Sequence, residues 1–357
     1  MASSNAAIHC ASLATMSVSI LVFVFEGLTY NVIFLGRVLP AMDKSTLVLP
    51  FAVLFNSVWI LAVWSYLRAH LVDPGSVPRR WQEFVKQVGD ALPVAPARPE
   101  WQPGKATYCK KCEIPRPERA KHCKVCETCV LRMDHHCPWI NNCVGFNNHK
   151  FFLLLGIYSG LACVVALGTS LPELALCAAV VMHMEEGKSL TWGNEDRSLE
   201  VADIVLFLVF GVLALLVAVL LAPLLSTHLP LAMQNITSIE DNYENMPNPF
   251  DQGGASANLA QLFGAFGPDW FFPITPWRPL TDGVSFERCD EPLNTAGVSH
   301  ATDGQRSEEV NLSFTAEGVQ PEQIWRQRFS VRSAPLVPLE EPDKGPLWML
   351  TRWMNWP

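Results

Sequence analysis

The sequence predicts a mainly α-helical, polytopic membrane protein with four transmembrane helices, a cysteine-rich domain between the second and third, and a partly disordered C-terminal tail. The chain of 357 residues is 50% hydrophobic and only 17% charged, whereas an ordinary soluble domain carries roughly 25% charge. Four apolar segments are each long enough to cross a bilayer. Seven of the 11 cysteines fall between Cys109 and Cys143.

The four apolar segments set the order of the chain. A bilayer core of about 30 Å takes roughly 20 residues of helix, and a helix satisfies its backbone polar groups within lipid. The expected spans are 13–35, 45–67, 151–181 and 204–227. The first is too long for a signal-peptide apolar region, so we expect it to be retained. Pro172 and Glu173 indicate a kink or an interfacial turn near the end of the third.

The distribution of charge predicts the orientation. Residues 68–150 carry 14 Lys and Arg against eight Asp and Glu, whereas residues 183–203 carry two against six. The positive-inside rule places the basic segment in the cytosol. We therefore expect both termini and the cysteine-rich domain to be cytosolic, in an integral, multi-pass protein of the endomembranes (Golgi or ER) or the plasma membrane. Thiols stay reduced in the cytosol, so disulfides are not expected.

These elements divide the chain into six segments. They are 1–67 with the first two spans, 68–104 with a proline-rich linker, 105–150 with the cysteines, 151–229 with the other spans, 230–286 with many aromatic residues, Pro and Gly, and 287–357 with a polar tail. The tail is poorly periodic, and we expect most of it to be disordered.

The cysteine-rich domain holds ten Cys and His side chains within 35 residues. Two Cys-x-x-Cys pairs, Cys109 with Cys112 and Cys123 with Cys126, are a strong metal signal when they lie this close together. A structural zinc ion takes four such ligands, so two ions would use eight side chains and leave two. Spacing alone does not settle which residues complete each site.

Asp134, His135 and Cys137 suggest what the surplus side chains do. A thiol with an ordinary pKa of about 8.5 is only slightly ionised near neutrality and needs a base beside it to act as a nucleophile. An Asp that orients an imidazole, an imidazole that accepts the thiol proton, and a thiol that attacks a carbonyl carbon are the parts of an acyl-transfer site. The alternative is that His135 and Cys137 are ligands of a larger zinc cluster.

Around these residues the sequence resembles a known family. The run from Tyr108 to Phe152, which includes Asp134-His135-His136-Cys137-Pro138-Trp139, is similar to the DHHC cysteine-rich domain of protein S-acyltransferases, or palmitoyltransferases. Asp73-Pro74-Gly75 resembles the DPG motif of that family. Thr237-Ser238-Ile239-Glu240 resembles its TTxE motif, with Ser238 where Thr is usual. The stretch from Asn248 to Gly264 resembles its C-terminal packing motif, with Asn258 as the Asn.

The resemblance implies two structural Zn²⁺ ions, each with four protein ligands. One set is Cys109, Cys112, His122 and Cys129. The other set is Cys123, Cys126, His136 and Cys143. The two residues left over are then His135 and Cys137, in agreement with the count of eight plus two.

The resemblance also implies an activity. The protein would transfer a long-chain fatty acyl group from acyl-CoA (palmitoyl-CoA) to cysteine thiols of other proteins, through a thioester on Cys137. His135 and Asp134 would be its catalytic partners, and three residues would support the site from the C-terminal side, namely Ser238, Glu240 and Asn258. The expected partners are acyl-CoA, the bilayer, and cytosolic or membrane-associated proteins with an accessible Cys.

Basic residues near the site are candidates for binding the anionic CoA head group. They are Arg119, Lys121, Lys124, Arg132 and Lys150. The same basic face could instead meet anionic lipid.

The same sequence features leave three other functions to compare with acyl transfer. A membrane-anchored zinc module of RING-like type would use every Cys and His as a ligand and would not depend on a nucleophile at Cys137. Nucleic-acid binding is disfavoured by four spans and a net charge of −8, and we expect no nucleic-acid partner. A transporter is disfavoured because only Glu26 lies deep within the spans and no paired broken helices are apparent.

Overall fold

The computed structural model describes residues 2–89, 92, 94–95, 105–182, 199–243 and 248–289. The predicted tail lies outside the described residues from position 290 on, and so does most of the proline-rich linker. The helices are α1 (Ala2–Leu28), α2 (Leu39–Ala41), α3 (Val48–Leu71), α4 (Arg79–Val88), α5 (His149–Met182), α6 (Val201–Met233) and α7 (Ala255–Phe263). A π-helical stretch, Thr29–Val38, joins α1 to α2, and 3-10 turns lie at Ser45–Leu47, Glu240–Asn242 and Pro268–Phe271.

Four of the described helical segments are long and apolar enough to cross a membrane. They are Cys10–Ala41, Ser45–Leu71, His149–Met182 and Val201–Met233, named here the first to the fourth span. The predicted fold class is thereby confirmed: the chain is mostly helical, with four membrane helices and a cysteine-rich region between the second and third.

Buried aromatic side chains hold the spans together. The ring of Tyr30 stacks on Phe55 at 3.8 Å between centroids, and Phe34 stacks on Phe207 at 5.3 Å. Three of the four spans therefore contribute to one aromatic core, and such ring pairs contribute about 0.5–1.5 kcal/mol each beyond the area that they bury.

Pro172 does not end the third span, which continues to Met182. Glu173, which follows it, is buried and lies 2.6 Å from Nζ of Lys44. Arg37 and Asp203 form a second ion pair, also at 2.6 Å. A buried carboxylate is costly unless a cation meets it. These two pairs therefore connect the end of the first span and the loop that follows it with the fourth and third spans.

The cysteine-rich domain is built from short strands. They are β1 (Val94–Ala95), β2 (Ala106–Cys109), β3 (Ile114–Arg116), β4 (Lys121–Cys123), β5 (Thr128–Val130), β6 (His135–Cys137) and β7 (Asn142–Val144). The pairs β2–β3, β4–β5 and β6–β7 are antiparallel, and β1 pairs parallel to β2. Two-stranded hairpins of this length are not stable alone, so their fold needs metal ligation or packing on the helices.

A turn after the second span docks this domain on the membrane helices. Oδ1 of Asp73 accepts hydrogen bonds from the backbone N–H groups of Gly75 (2.7 Å) and Ser76 (2.6 Å). Gly75 has a φ of +117°, which glycine adopts without strain. Its carbonyl accepts a hydrogen bond from the N–H of Leu131, at 2.7 Å. The segment that resembles a DPG motif is thus a tight turn against the cysteine-rich domain.

The region after the fourth span packs back against the bundle. Nζ of Lys150, at the start of the third span, donates to the carbonyls of Asp269 (2.6 Å) and Ile274 (2.9 Å). Asn258 donates to the carbonyl of Met233 at the end of the fourth span, at 3.0 Å. Both contacts satisfy polar groups that would otherwise be buried without partners.

Candidate active site

The register of the hairpin β4–β5 distributes side chains between two metal sites. His122 pairs across the hairpin with Cys129. Because successive side chains of a strand point to opposite faces, Cys123 points away from this pair. His122 and Cys129 therefore belong to one cluster and Cys123 to the other.

The hairpin β6–β7 uses the same alternation to separate a metal ligand from its sequence neighbours. His136 pairs with Cys143 across the hairpin, and both face the second cluster. His135 and Cys137, on either side of His136, point to the opposite face of the strand. Of the three adjacent side chains, one is thus available to a metal and two are not.

Two groups of four side chains have the geometry of zinc sites. They are Cys109, Cys112, His122 and Cys129, and Cys123, Cys126, His136 and Cys143, and within each group the ligand atoms lie within 4.8 Å of one another. Sγ–Sγ distances are 3.7 Å for Cys112–Cys129 and 3.4 Å for Cys126–Cys143. A tetrahedral Zn²⁺ with Zn–S bonds of about 2.3 Å needs sulfurs roughly 3.8 Å apart. Both groups therefore fit a structural zinc ion.

A third group surrounds Asp134. Its Oδ2 lies 2.6 Å from Nδ1 of His135, and its Oδ1 accepts a hydrogen bond from the N–H of Ser238, at 2.7 Å. The hydroxyl of Ser238 also donates to the carbonyl of Asp134, at 2.9 Å. Ser238 therefore holds both the carboxylate and the backbone of Asp134.

The electrostatics of this group favour an ionised Asp134 beside a basic His135. Burial alone would raise the pKa of the Asp134 carboxyl, but the hydrogen bond with His135 and the nearby imidazole of His228 hold that pKa well below its usual range. Burial alone would lower the pKa of His135, yet its contacts with Asp134 and Cys137 raise it to about 9. His135 is thus a stronger proton acceptor than a free imidazole.

Cys137 lies where the spans meet the cysteine-rich domain. It is 5% exposed and belongs to an apolar cluster with Tyr66 of the second span and Phe151 and Phe152 of the third. The loop that follows it is held by the first two spans, because Thr15 donates to the carbonyl of Pro138 (2.8 Å) and Tyr66 to that of Trp139 (3.0 Å). The thiol is therefore fixed at the end of the helical bundle.

Glu240 supports the site indirectly, through its contact with Arg119. Its carboxylate accepts two hydrogen bonds of 2.7 Å from Arg119, and both side chains are almost completely buried. The contact is to Arg119 rather than to the Asp134 group. Of the three expected supporting residues, Ser238 touches Asp134, Glu240 pairs with Arg119, and Asn258 contacts the end of the fourth span.

The expected CoA-binding residues separate into two kinds. Arg119, Arg132 and Lys150 are buried and hydrogen-bonded to protein groups: Arg119 to Glu240, Arg132 to His149 and Asn235, and Lys150 to backbone carbonyls. Because these three side chains are buried and already hydrogen-bonded within the protein, we expect them to have structural roles rather than to bind CoA. Lys124 is exposed, and Lys121 is half-buried against Tyr243.

A shallow surface pocket of about 630 Å³, open to its surroundings, lies beside the Asp134 group. It is lined by Asp134, His135, Ser238, Ile239, Asn242 and Tyr243. Lys121, in contact with Tyr243, brings a positive charge to its edge.

Sequence reasoning missed His228 and Thr15. His228, near the end of the fourth span, places Nδ1 3.3 Å from Oδ2 of Asp134. The available signal was a lone imidazole in a long apolar segment, where a polar side chain is rare and tends to face a functional site.

Comparison with known proteins agrees with this geometry. Residues 102–245 match the model of the DHHC palmitoyltransferase family. The chain is 33% identical to human palmitoyltransferase ZDHHC20 over 261 residues, 66% of each chain. It is 30% identical to palmitoyltransferase ZDHHC20 of Bos taurus over 329 residues, covering 84% of this chain and 79% of the relative. It is 31% identical to the probable protein S-acyltransferase 13 of Arabidopsis thaliana over 278 residues, 74% of this chain and 87% of the relative. The chain therefore belongs to the DHHC palmitoyltransferase family.

Proposed function

We propose that this protein is a protein S-palmitoyltransferase that moves a long-chain acyl group from acyl-CoA to cysteine thiols of proteins through a thioester on Cys137. The observation that carries the proposal is the position of Cys137. It lies on the strand face opposite the ligand His136, beside the Asp134–His135 pair, and at the end of four apolar helices.

The first step forms the acyl-enzyme. His135 takes the thiol proton of Cys137 before the attack, so the sulfur attacks the carbonyl carbon of the acyl thioester as a thiolate beside a protonated imidazole. The bond between the carbonyl carbon and the CoA sulfur breaks, and the proton passes from His135 to the departing CoA thiolate. Asp134, through its bond to Nδ1, keeps the other ring nitrogen of His135 free for this exchange.

The second step transfers the acyl group to a protein. The acceptor thiol gives its proton to His135 and attacks the thioester carbonyl, and the proton then passes to the Cys137 sulfur. A thioester replaces a thioester in each step, so the bond energies are similar and no nucleotide hydrolysis is needed.

The apolar surroundings of Cys137 suit a fatty acyl chain. Each methylene removed from water contributes about 0.8 kcal/mol, so a long chain gains most by lying among the spans. Phe23 of the first span and Leu224 of the fourth pack on the same cluster as Cys137. All four spans thus contribute side chains near the thiol, which supports an acyl site between them.

The zinc ions would be structural. Each group supplies four protein ligands, so no coordination position is left for substrate. When bound, zinc joins the hairpins, which hold little apolar core of their own. The ligand residues of this chain would then fix β6 and, with it, the positions of His135 and Cys137.

We also propose that the zinc-binding domain and both termini are cytosolic, where acyl-CoA and thiol acceptors are found. Lys121 and Lys124 remain candidates for the phosphates of CoA. If the orientation is correct, the sequon at Asn311 stays unglycosylated in cells. Glycosylation of Asn311 would contradict the proposed orientation and indicate the opposite one.

The test is a hydroxylamine-sensitive acyl adduct formed by the purified, zinc-loaded protein with palmitoyl-CoA. We expect wild type and Cys289→Ser, a change at an exposed cysteine, to take up label, and Cys137→Ser to lose it. Mass spectrometry should place the adduct on Cys137. A Cys137→Ser variant that sustains full cellular activity would instead favour a RING-like adaptor.

A further inference from the structure

His228 lies close to the proposed active site without touching the nucleophile. It stands between Pro223 and Pro230 in the last turns of the fourth span. Its Nδ1 is buried and approaches Oδ2 of Asp134 to 3.3 Å. Among the described residues no side chain or backbone group meets hydrogen-bond geometry with this nitrogen, and the Asp134 carboxylate is the acidic group that it approaches.

The carboxylate of Asp134 can accept from both imidazoles. Its Oδ1 already accepts from the N–H of Ser238, and Oδ2 accepts from His135 at 2.6 Å. A carboxylate oxygen has two lone pairs, so Oδ2 has one left for His228. At 3.3 Å the contact from His228 lacks the alignment of a full hydrogen bond, so it is the weaker of the two.

The imidazole of His228 also borders that of His135. Their ring centroids are 5.0 Å apart, and both rings lie 5.2 Å from the ring of Phe152 in T-shaped pairs. Phe152 is 3% exposed and therefore fixed in place. The three rings confine one another around Asp134.

We propose that His228 is a positioning residue for acyl transfer: its Nδ1–H restrains the carboxylate of Asp134, and its ring limits the tilt of His135, so that the free nitrogen of His135 stays aimed at Cys137. The inference rests on the proposed function and deepens it. His228 moves no proton of the reaction, because its buried nitrogen faces Asp134 rather than Cys137.

A positioning role predicts a specific kinetic change. Loss of His228 should reduce the maximal rate of acyl-enzyme formation about tenfold, a part of the 10²–10⁴ that a well-placed general base contributes. The palmitoyl-CoA concentration at half-maximal rate should change less than twofold, because the nitrogen of His228 faces Asp134, and its ring meets the apolar cluster around Cys137 at Phe152.

The test compares three substitutions in the full-length protein. The amide nitrogen of Asn can take the place of Nδ1, whereas that of Gln takes the place of Nε2. We therefore expect His228→Asn to retain a rate within threefold of wild type, and His228→Ala and His228→Gln to lose about tenfold. Thr227→Ala, at an exposed hydroxyl that bonds within its own helix, is the matched control and should equal wild type.

Single-turnover labelling with palmitoyl-CoA gives both kinetic quantities, and zinc content checks that each variant is folded. If the Ala variant labels as fast as wild type, or if Asn and Gln are equally slow or equally fast, the positioning role is refuted. A wild-type protein that takes up no label on Cys137 would refute the proposed function itself, which separates the two failures.

Discussion

Oγ of Ser12 lies 3.3 Å from Nε2 of His136, so a residue of the first span contacts a metal-ligand candidate 124 positions later. Nδ1 of the same imidazole faces the sulfurs of Cys126 and Cys143, at 3.4 and 3.7 Å. The ring can thus bind a metal through one nitrogen while Ser12 meets the other. Outer contacts of this kind fix the tautomer and the orientation of a ligand.

Ser12→Ala should therefore weaken zinc binding at the site that contains His136 and leave zinc binding at the other site unchanged. Loss of an outer-sphere partner typically costs about 10–100-fold in metal affinity. In a chelator competition that follows two zinc ions per chain, we expect one to be released faster and the second at the wild-type rate. Ser17→Ala, at an exposed hydroxyl of the same helix that donates to the carbonyl of Leu13, should behave as wild type. Unchanged release from both sites in Ser12→Ala would contradict the outer-sphere role.

The His135–Asp134 pair should make stability depend on pH in the alkaline range. The pKa of His135 is raised to about 9 from the ordinary 6.5, so protonated His135 stabilises the folded state. That contribution is fully present below pH 6.5 and is lost as pH rises through 9. It amounts to about 3 kcal/mol at 1.36 kcal/mol per pKa unit.

His135→Gln should accordingly differ most from wild type near pH 6 and least above pH 9.5. Thermal unfolding of the zinc-loaded protein in detergent measures the difference, with the zinc content of both proteins measured at each pH. A difference in stability that does not change between pH 6 and 9.5 would show that the pair titrates elsewhere.

Substituting one partner of the Arg119–Glu240 ion pair should destabilise the folded protein more than substituting both partners. Removing one partner of a buried ion pair leaves an uncompensated charge and typically costs about 3–5 kcal/mol. We expect Glu240→Gln to lower the free energy of unfolding by this order. Arg119→Met combined with Glu240→Met should lose less, because no unpaired charge remains among Phe250 and Phe286, which flank the guanidinium. If the single and double variants lose equal amounts of unfolding free energy, the unpaired charge is not the cause of the loss.

Gly145 should tolerate no side chain. A Cβ at this position would lie 2.4 Å from the carbonyl oxygen of Pro74 and 2.4 Å from Cγ1 of Val130. The first is backbone and cannot rotate away, so Gly145→Ala must separate the turn at residues 73–75 from the cysteine-rich domain. Overpacking of this kind costs about 1–3 kcal/mol. Gly168→Ala, where no atom lies within 4 Å of the new Cβ, is the control. A Gly145→Ala protein as stable as that control would contradict the contact.

The sequence predicted the features that depend on local pattern. The spans follow from runs of apolar residues, and the same eight Cys and His residues that the family resemblance groups in fours come together in the structure as two clusters. Cross-strand pairing explains why: His122 with Cys129 and His136 with Cys143 face each other in hairpins. These relationships lie within a few residues along the chain.

The features that sequence reasoning missed depend on contacts across the whole chain. Arg119 lies near the cysteines in sequence, yet its partner is Glu240, beyond the fourth span. Arg132 similarly meets Asn235, and His228 meets Asp134. Charge alone indicates which residues can bind an anion, but only the path of the fourth span and the segment after it decides which cations are already paired.

The alternation along β6 has a consequence for how this site can change. Alternation along the strand alone gives its three residues different neighbours. His135 and Cys137, at odd positions, face the helices, whereas His136, at the even position, faces the metal ligands. Any substitution preserves that parity, whereas inserting or deleting a single residue between 135 and 137 would exchange the two faces. Substitutions can therefore change the side chains of the site one at a time, but the number of residues in this strand cannot change without exchanging the two faces.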